Sequence, residues 1–144
     1  MPVWTSLAIS TELEVTKNLI SVVDDDEGIR RTTTFLIESF GFQAAAFESA
    51  EGFLKSVQLH DTSCLLVDIQ MPGMSGLQLQ RELTVAGCGI PVIFITAYVN
   101  TYARQQAIQA GAVAFLSKPF TDVQLHQTIR SALRYDDQST KSPG

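Results

Sequence analysis

Cysteine, histidine and basic residues are all scarce in this 144-residue chain, and each scarcity removes a class of function. Ten Lys and Arg stand against fifteen Asp and Glu, a formal charge of -5, so no large cationic surface is at hand for a nucleic acid or an anionic membrane. The two cysteines, Cys64 opening an apolar run and Cys88 between glycines, form no CxxC pair, and a reduced, cytoplasmic chain is expected. The two histidines, His60 and His126, fall in a loop and a helix and are expected at the surface. No apolar run approaches the roughly 20 residues that span a bilayer. Val3 to Ile9 lacks the basic lead and cleavage site of a signal peptide, so no membrane partner is expected.

What the chain does have is 45% hydrophobic residues, enough for one core and too short a length for two domains. From Leu19 onward, short apolar runs alternate with segments of helical period, the pattern of a parallel sheet flanked by helices. The runs are Leu19 to Val23, Gln43 to Phe47, Cys64 to Val67, Pro91 to Ile95 with Thr96 as its end, and Ala112 to Leu116. The first helix is predicted from Glu27 to Phe40, with Ile29, Thr33, Leu36, Ile37 and Phe40 at helical spacing. A second begins behind Ser49 as N-cap and carries Phe53, Leu54 and Val57 inward. A third runs from Ser75 to about Ala86, a polar fourth from Asn100 to Ala110, and a fifth from Thr121 to Arg134. Right-handed crossovers then favour an α/β fold, a doubly wound five-stranded parallel sheet of order 2-1-3-4-5. The domain is predicted over 19–134, between an N-terminal extension, 1–18, and a polar tail, 135–144.

In such a sheet ligands bind at the carboxyl ends of the strands. The reactive residues sit there: Asp24, Asp25 and Asp26 follow strand one, Asp68 follows strand three, Thr96 closes strand four and Lys118 follows strand five. Asp26 and Glu27 are read as helix N-terminal acids. For Asp24, Asp25 and Asp68 that reading falls short, because two carboxylates about 4 Å apart repel by roughly 4 kcal/mol at an effective dielectric near 20. The cluster must protonate a member or bind a hard cation, and an all-oxygen site suits Mg²⁺; zinc is disfavoured because no His or Cys accompanies the acids. With the ammonium of Lys118 and the hydroxyl of Thr96, these groups make a set suited to phosphoryl transfer.

The segments Val23-Asp24-Asp25-Asp26, Leu66 to Gly76, Ile95-Thr96-Ala97 and Lys118-Pro119-Phe120 together resemble the receiver domains of response regulators, a flavodoxin-like fold, over Leu19 to Leu133. Ala112 to Phe120 is most similar to receivers of nitrogen-fixation-type transcriptional regulators. The resemblance implies a phosphorylation switch rather than an enzyme, with Asp68 as phosphoacceptor. It implies Mg²⁺ on Asp25, Asp68 and the main-chain carbonyl of Gln70, with Asp24 acting through water. Thr96 and Lys118 would hold the phosphoryl oxygens, and the rotamer of Phe115 would report the switch, although plain core packing would also explain Phe115. Tyr98 and Gln70 would border the path of an attacking water and slow loss of the phosphoryl group. The implied partner is a sensor histidine kinase or phosphotransfer protein, with a second copy of the chain as a candidate at the surface of the fourth helix, fifth strand and fifth helix. No output domain follows within the 144 residues, so both a stand-alone regulator and a receiver ending at its linker remain open. A haloacid-dehalogenase-like phosphatase would need an acid where Gln70 stands. A flavodoxin-like cofactor binder would need a glycine-rich phosphate loop where three aspartates stand. A pseudo-receiver adaptor would leave the phosphotransfer residues unused.

Overall fold

A computed structural model describes residues 18–97 and 101–141, with side chains through 134. The described strands are β1 (Leu19–Val23), β2 (Gln43–Phe47), β3 (Thr62–Asp68), β4 (Val92–Thr96) and β5 (Ala114–Ser117). They form one parallel sheet of order β2-β1-β3-β4-β5, the order that the sequence predicts. The helices are α1 (Glu27–Ser39), α2 (Ala50–Leu54), α3 (Gly76–Val85), α4 (Thr101–Gln109) and α5 (Asp122–Lys141), with a 3₁₀ turn at Val57–Asp61.

Strand periodicity divides the core into two layers. Leu65, Val67, Val92 and Phe94 face Phe53, Leu79, Leu83 and Ala107 of α2, α3 and α4. Their neighbours Cys64, Leu66, Ile93 and Ile95 face Ile37, Leu125, Ile129 and Ala132 of α1 and α5. Helix starts follow the expected chemistry: the carboxylate of Asp26 accepts from Ile29 N at 3.0 Å, and Ser75 closes a capping box with Gln78.

Several boundaries differ from the sequence reading. Helix α2 stops after one turn, where Ser56 accepts from Gln58 N and starts the 3₁₀ turn. The tighter turn brings Leu59 inward and leaves Val57, predicted to be buried, 85% exposed. Strand β3 begins at Thr62, two residues before its apolar run, because the hydroxyls of Thr62 and Ser21 satisfy each other at 2.7 Å inside the sheet. Strand β5 begins later than predicted, because the N–H groups of Gly111 and Ala112 close the last turn of α4 on Ile108 O and Ala107 O. Helix α5 continues through Tyr135 to Lys141, a stretch predicted as tail, and the sequence places no Gly or Pro in it. His126 is not a plain surface residue: its ring stacks on Phe40 at 4.2 Å and meets Phe42 edge-on at 6.3 Å.

Helix α4 buries only Ala107 fully, whereas α3 buries Leu79 and Leu83 and α1 buries Thr33 and Ile37. Few apolar contacts mean a low local opening free energy. Amide hydrogen exchange is expected to be faster in α4 than in α1 or α3, and equal protection would show that α4 is anchored as firmly as they are.

Candidate functional site

The register sets the site. Val23 pairs with Val67, Asp68 with Ile95 and Thr96 with Ser117, so the carboxyl ends of β1, β3, β4 and β5 finish level. Asp24 and Asp25 follow β1, Asp68 ends β3, Thr96 ends β4, and Lys118 follows β5 with its N–H on Thr96 O at 2.8 Å. One carboxylate oxygen from each of Asp24, Asp25 and Asp68 lies within 4.8 Å of the others. Asp24 and Asp68 are only 2% and 8% exposed, while Asp25 faces solvent.

Lys118 joins the two buried acids. Its ammonium donates to Asp24 Oδ2 at 2.9 Å and to Asp68 Oδ2 at 2.8 Å. The other oxygens are held by the backbone: Asp26 N donates to Asp24 Oδ1 and Gln70 N to Asp68 Oδ1, each at 2.9 Å. Burial alone would lower the pKa of Lys118, but the hydrogen bonds to Asp68 and Asp24 and the charges of these carboxylates outweigh it and raise the pKa above its ordinary 10.5. The peptide bond between Lys118 and Pro119 is cis.

Of the other predicted residues, Thr96 is buried at the strand end and the side chain of Gln70 is exposed. Phe115 is half-buried against the layer that contains Ala107 of α4. Tyr98 lies outside the described residues.

Three further residues frame the site, of which Arg30 and Glu51 carry no motif that the sequence alone could reveal, while Gly76 ends the Leu66 to Gly76 segment. The guanidinium of Arg30 on α1 donates to Asp24 O at 2.8 Å. Glu51 on α2 accepts from Met74 N at 3.2 Å, holding the loop after β3. Gly76 sits so close to that strand that a Cβ there would lie 2.6 Å from Asp68 O. The only signal for Arg30 was a cation six residues beyond Asp24; Glu51 gave none beyond a first-turn acid.

Residues 20–130 match the response regulator receiver domain family. The chain belongs to that family. This receiver is 42% identical over 121 residues to nodulation protein W of Bradyrhizobium diazoefficiens, covering 84% of this chain and 53% of that protein. It is 34% identical over 127 residues to the transcriptional regulatory protein FixJ of the same organism, covering 88% and 62%. The receiver therefore spans little more than half the length of these curated relatives. The solved structure of FixJ-N superposes with a TM-score of 0.75 at 34% identity, covering 83% of this chain and 95% of that one. The chemotaxis protein CheY4 of Vibrio cholerae, at 21% identity and a TM-score of 0.77, shares the fold, covering 82% of this receiver and all of that chain. Receivers of two-component response regulators are phosphorylation-regulated signalling domains, not classical enzymes. Among the described residues, no helix of this one is long and apolar enough to cross a membrane.

Proposed function

We propose that this receiver takes a phosphoryl group onto Asp68 and reshapes its α4, β5 and α5 surface in response. The observation that carries the proposal is the convergence of three carboxylates at one sheet edge, the two buried ones, Asp24 and Asp68, sharing the ammonium of Lys118. Three acids to one base leave excess negative charge in a set of hard oxygen donors, which fits Mg²⁺. Asp25, Asp68 and the carbonyl of Gln70 would hold the ion, with Asp24 acting through water. When bound, the metal supplies positive charge to the phosphoryl oxygens.

An oxygen of Asp68 attacks the phosphorus of a phosphohistidine on a sensor kinase or phosphotransfer protein. The phosphorus–nitrogen bond breaks, and the departing imidazole takes up a proton. Lys118 stays paired with the new acyl phosphate, and the hydroxyl of Thr96 turns toward its oxygens. Only one conformer provides the full set of contacts to the phosphoryl oxygens, so they shift the conformational equilibrium; moving it from 1:99 to 99:1 takes about 5.5 kcal/mol. Helix α4, thinly anchored, and Phe115 beneath it are the elements that move, and a second copy of the chain is one candidate reader of the altered surface. Tyr98 and Gln70 would slow the attack of water on the acyl phosphate and so prolong the phosphorylated state.

Incubation with acetyl phosphate and Mg²⁺, read by intact mass, is expected to add one phosphoryl group to the native chain and none to Asp68→Ala. An adduct that persists in the variant, or a native chain that takes up none, rejects the assignment.

A further inference from the structure

Every polar group of Asp24 has a partner. Its N–H donates to Phe47 O of β2 at 3.1 Å, Oδ1 accepts from Asp26 N at 2.9 Å and Oδ2 from Lys118 Nζ at 2.9 Å. The main-chain carbonyl accepts from Nη1 of Arg30 at 2.8 Å. Arg30 is itself fixed in the first turn of α1, where its N–H donates to Asp26 O at 3.0 Å.

Asp25 is the opposite case. It is exposed, and its carboxylate has no partner among the described residues. Yet one of its oxygens lies within 4.8 Å of oxygens of Asp24 and Asp68, close enough for the three to share a cation. The backbone on either side is what holds it there. A peptide bond is planar, so an Asp24 carbonyl held in one direction holds the nitrogen and Cα of Asp25 in the same plane. Beyond Asp25 the chain is pinned by Asp26, which gives its N–H to Asp24 Oδ1 and accepts from Ile29 N at 3.0 Å.

We infer that Arg30 is a positioning residue, acting through the Asp24 carbonyl to hold Asp25 where a divalent cation needs its oxygen, a role that rests on the proposed Mg²⁺ site. The other role open to a guanidinium beside three carboxylates is electrostatic, and its sign is opposite. A positive charge near the cluster competes with a cation, so removing it would tighten the hold on Mg²⁺. Removing a positioning contact weakens that hold, and partners standing behind metal ligands carry about 10–100-fold in affinity. Arg31 separates the two effects. It carries the same charge one residue further on, but its exposed guanidinium pairs with Glu27 at 3.0 Å rather than with Asp24.

Mg²⁺ titrated into the metal-free protein, followed by the NMR shifts of the Asp25 and Gln70 amides, reads the site without any phosphorylation. Arg30→Met is expected to raise the half-saturating Mg²⁺ concentration about tenfold. Arg31→Met, with the same loss of charge at a screened surface position, is expected to stay within about twofold of the native protein. Phosphorylation of Arg30→Met by acetyl phosphate should return to near the native rate once Mg²⁺ is saturating. An Arg30→Met that binds Mg²⁺ as tightly as the native protein or more so, an equal loss in both variants, or a rate that stays low at saturation overturns the positioning role and leaves the metal site standing. A native protein whose amides do not respond to Mg²⁺ overturns the metal site and the positioning role with it. Should Arg30→Met be too unstable to titrate, Arg30→Lys takes its place, since it keeps the charge but ends one bond short of Nη1. Weaker binding is then expected, and unchanged binding overturns the role.

Discussion

Replacing Lys118 with methionine is expected to destabilise the metal-free protein by about 3 kcal/mol and to tighten the proposed binding of Mg²⁺. The ammonium is the shared partner of Asp24 Oδ2 and Asp68 Oδ2, and both carboxylates are nearly shut off from water. Removing one member of a buried pair costs roughly 3–5 kcal/mol, because the opposite charge stays behind uncompensated. The lower end applies, since Lys118 keeps some contact with solvent. For a domain of this size the melting temperature should fall by roughly 10 °C. If Mg²⁺ occupies the proposed site, it should bind the variant on the order of tenfold more tightly, because one unit of positive charge has left the cluster, and so return about 1.4 kcal/mol, somewhat under half of that loss. The pH dependence has a definite sign. The folded pKa of Lys118 is raised, so its contribution is complete below 10.5 and is lost as the pH climbs through the raised value. Stability should therefore decline more steeply above pH 10.5 in the native protein than in Lys118→Met. A variant that melts at the native temperature without metal would show that the pair contributes little.

Gly76→Ala is expected to damage both fold and site, against the usual preference of helices for alanine over glycine by about 1 kcal/mol. The added Cβ would lie 2.6 Å from Asp68 O and 3.1 Å from Ile69 Cα. Both neighbours are backbone, at the end of a central strand packed on both faces, so neither can swing aside as a flexible side chain would. Either the start of α3 lifts away, breaking the Gly76 N to Ile69 O bond, or the peptide of Asp68 moves and its carboxylate with it. A loss of about 1–3 kcal/mol follows from overpacking, and phosphorylation by acetyl phosphate should slow by at least about tenfold, as reacting groups displaced by an ångström do. Gly89→Ala is the control, since its Cβ would meet nothing within 4 Å. Similar melting and phosphorylation rates in the two variants would remove Gly76 from the account.

The sheet order was legible because five apolar runs separated by helical segments, combined with right-handed crossovers, leave few ways to build a parallel sheet. The convergence of Asp24, Asp25, Asp68 and Lys118 was legible for the same reason: each follows or ends a strand, and parallel strands carry their carboxyl ends to one edge. Where local pattern and tertiary satisfaction disagreed, pattern failed. Thr62 lies outside the apolar run that starts at Cys64, and it joins the strand because Ser21 supplies its partner from β1, forty-one residues away. Val57 kept an apolar period that the 3₁₀ turn after Ser56 does not keep.

What the amino-acid order alone determined is thus the alternation of elements, the polarity of their ends and the chemical inventory at one edge, all properties of neighbours along the chain. The tertiary structure decided the contacts between distant segments. Among them are Lys118 reaching two acids at once, Glu51 holding the backbone of the loop after β3, Gly76 pressed against β3, and Gln80 tied to Ala110 with its oxygen unmet. Such contacts depend on how far apart packed elements come to rest, and that distance is set by the volumes of all the side chains between them rather than by any one stretch of sequence.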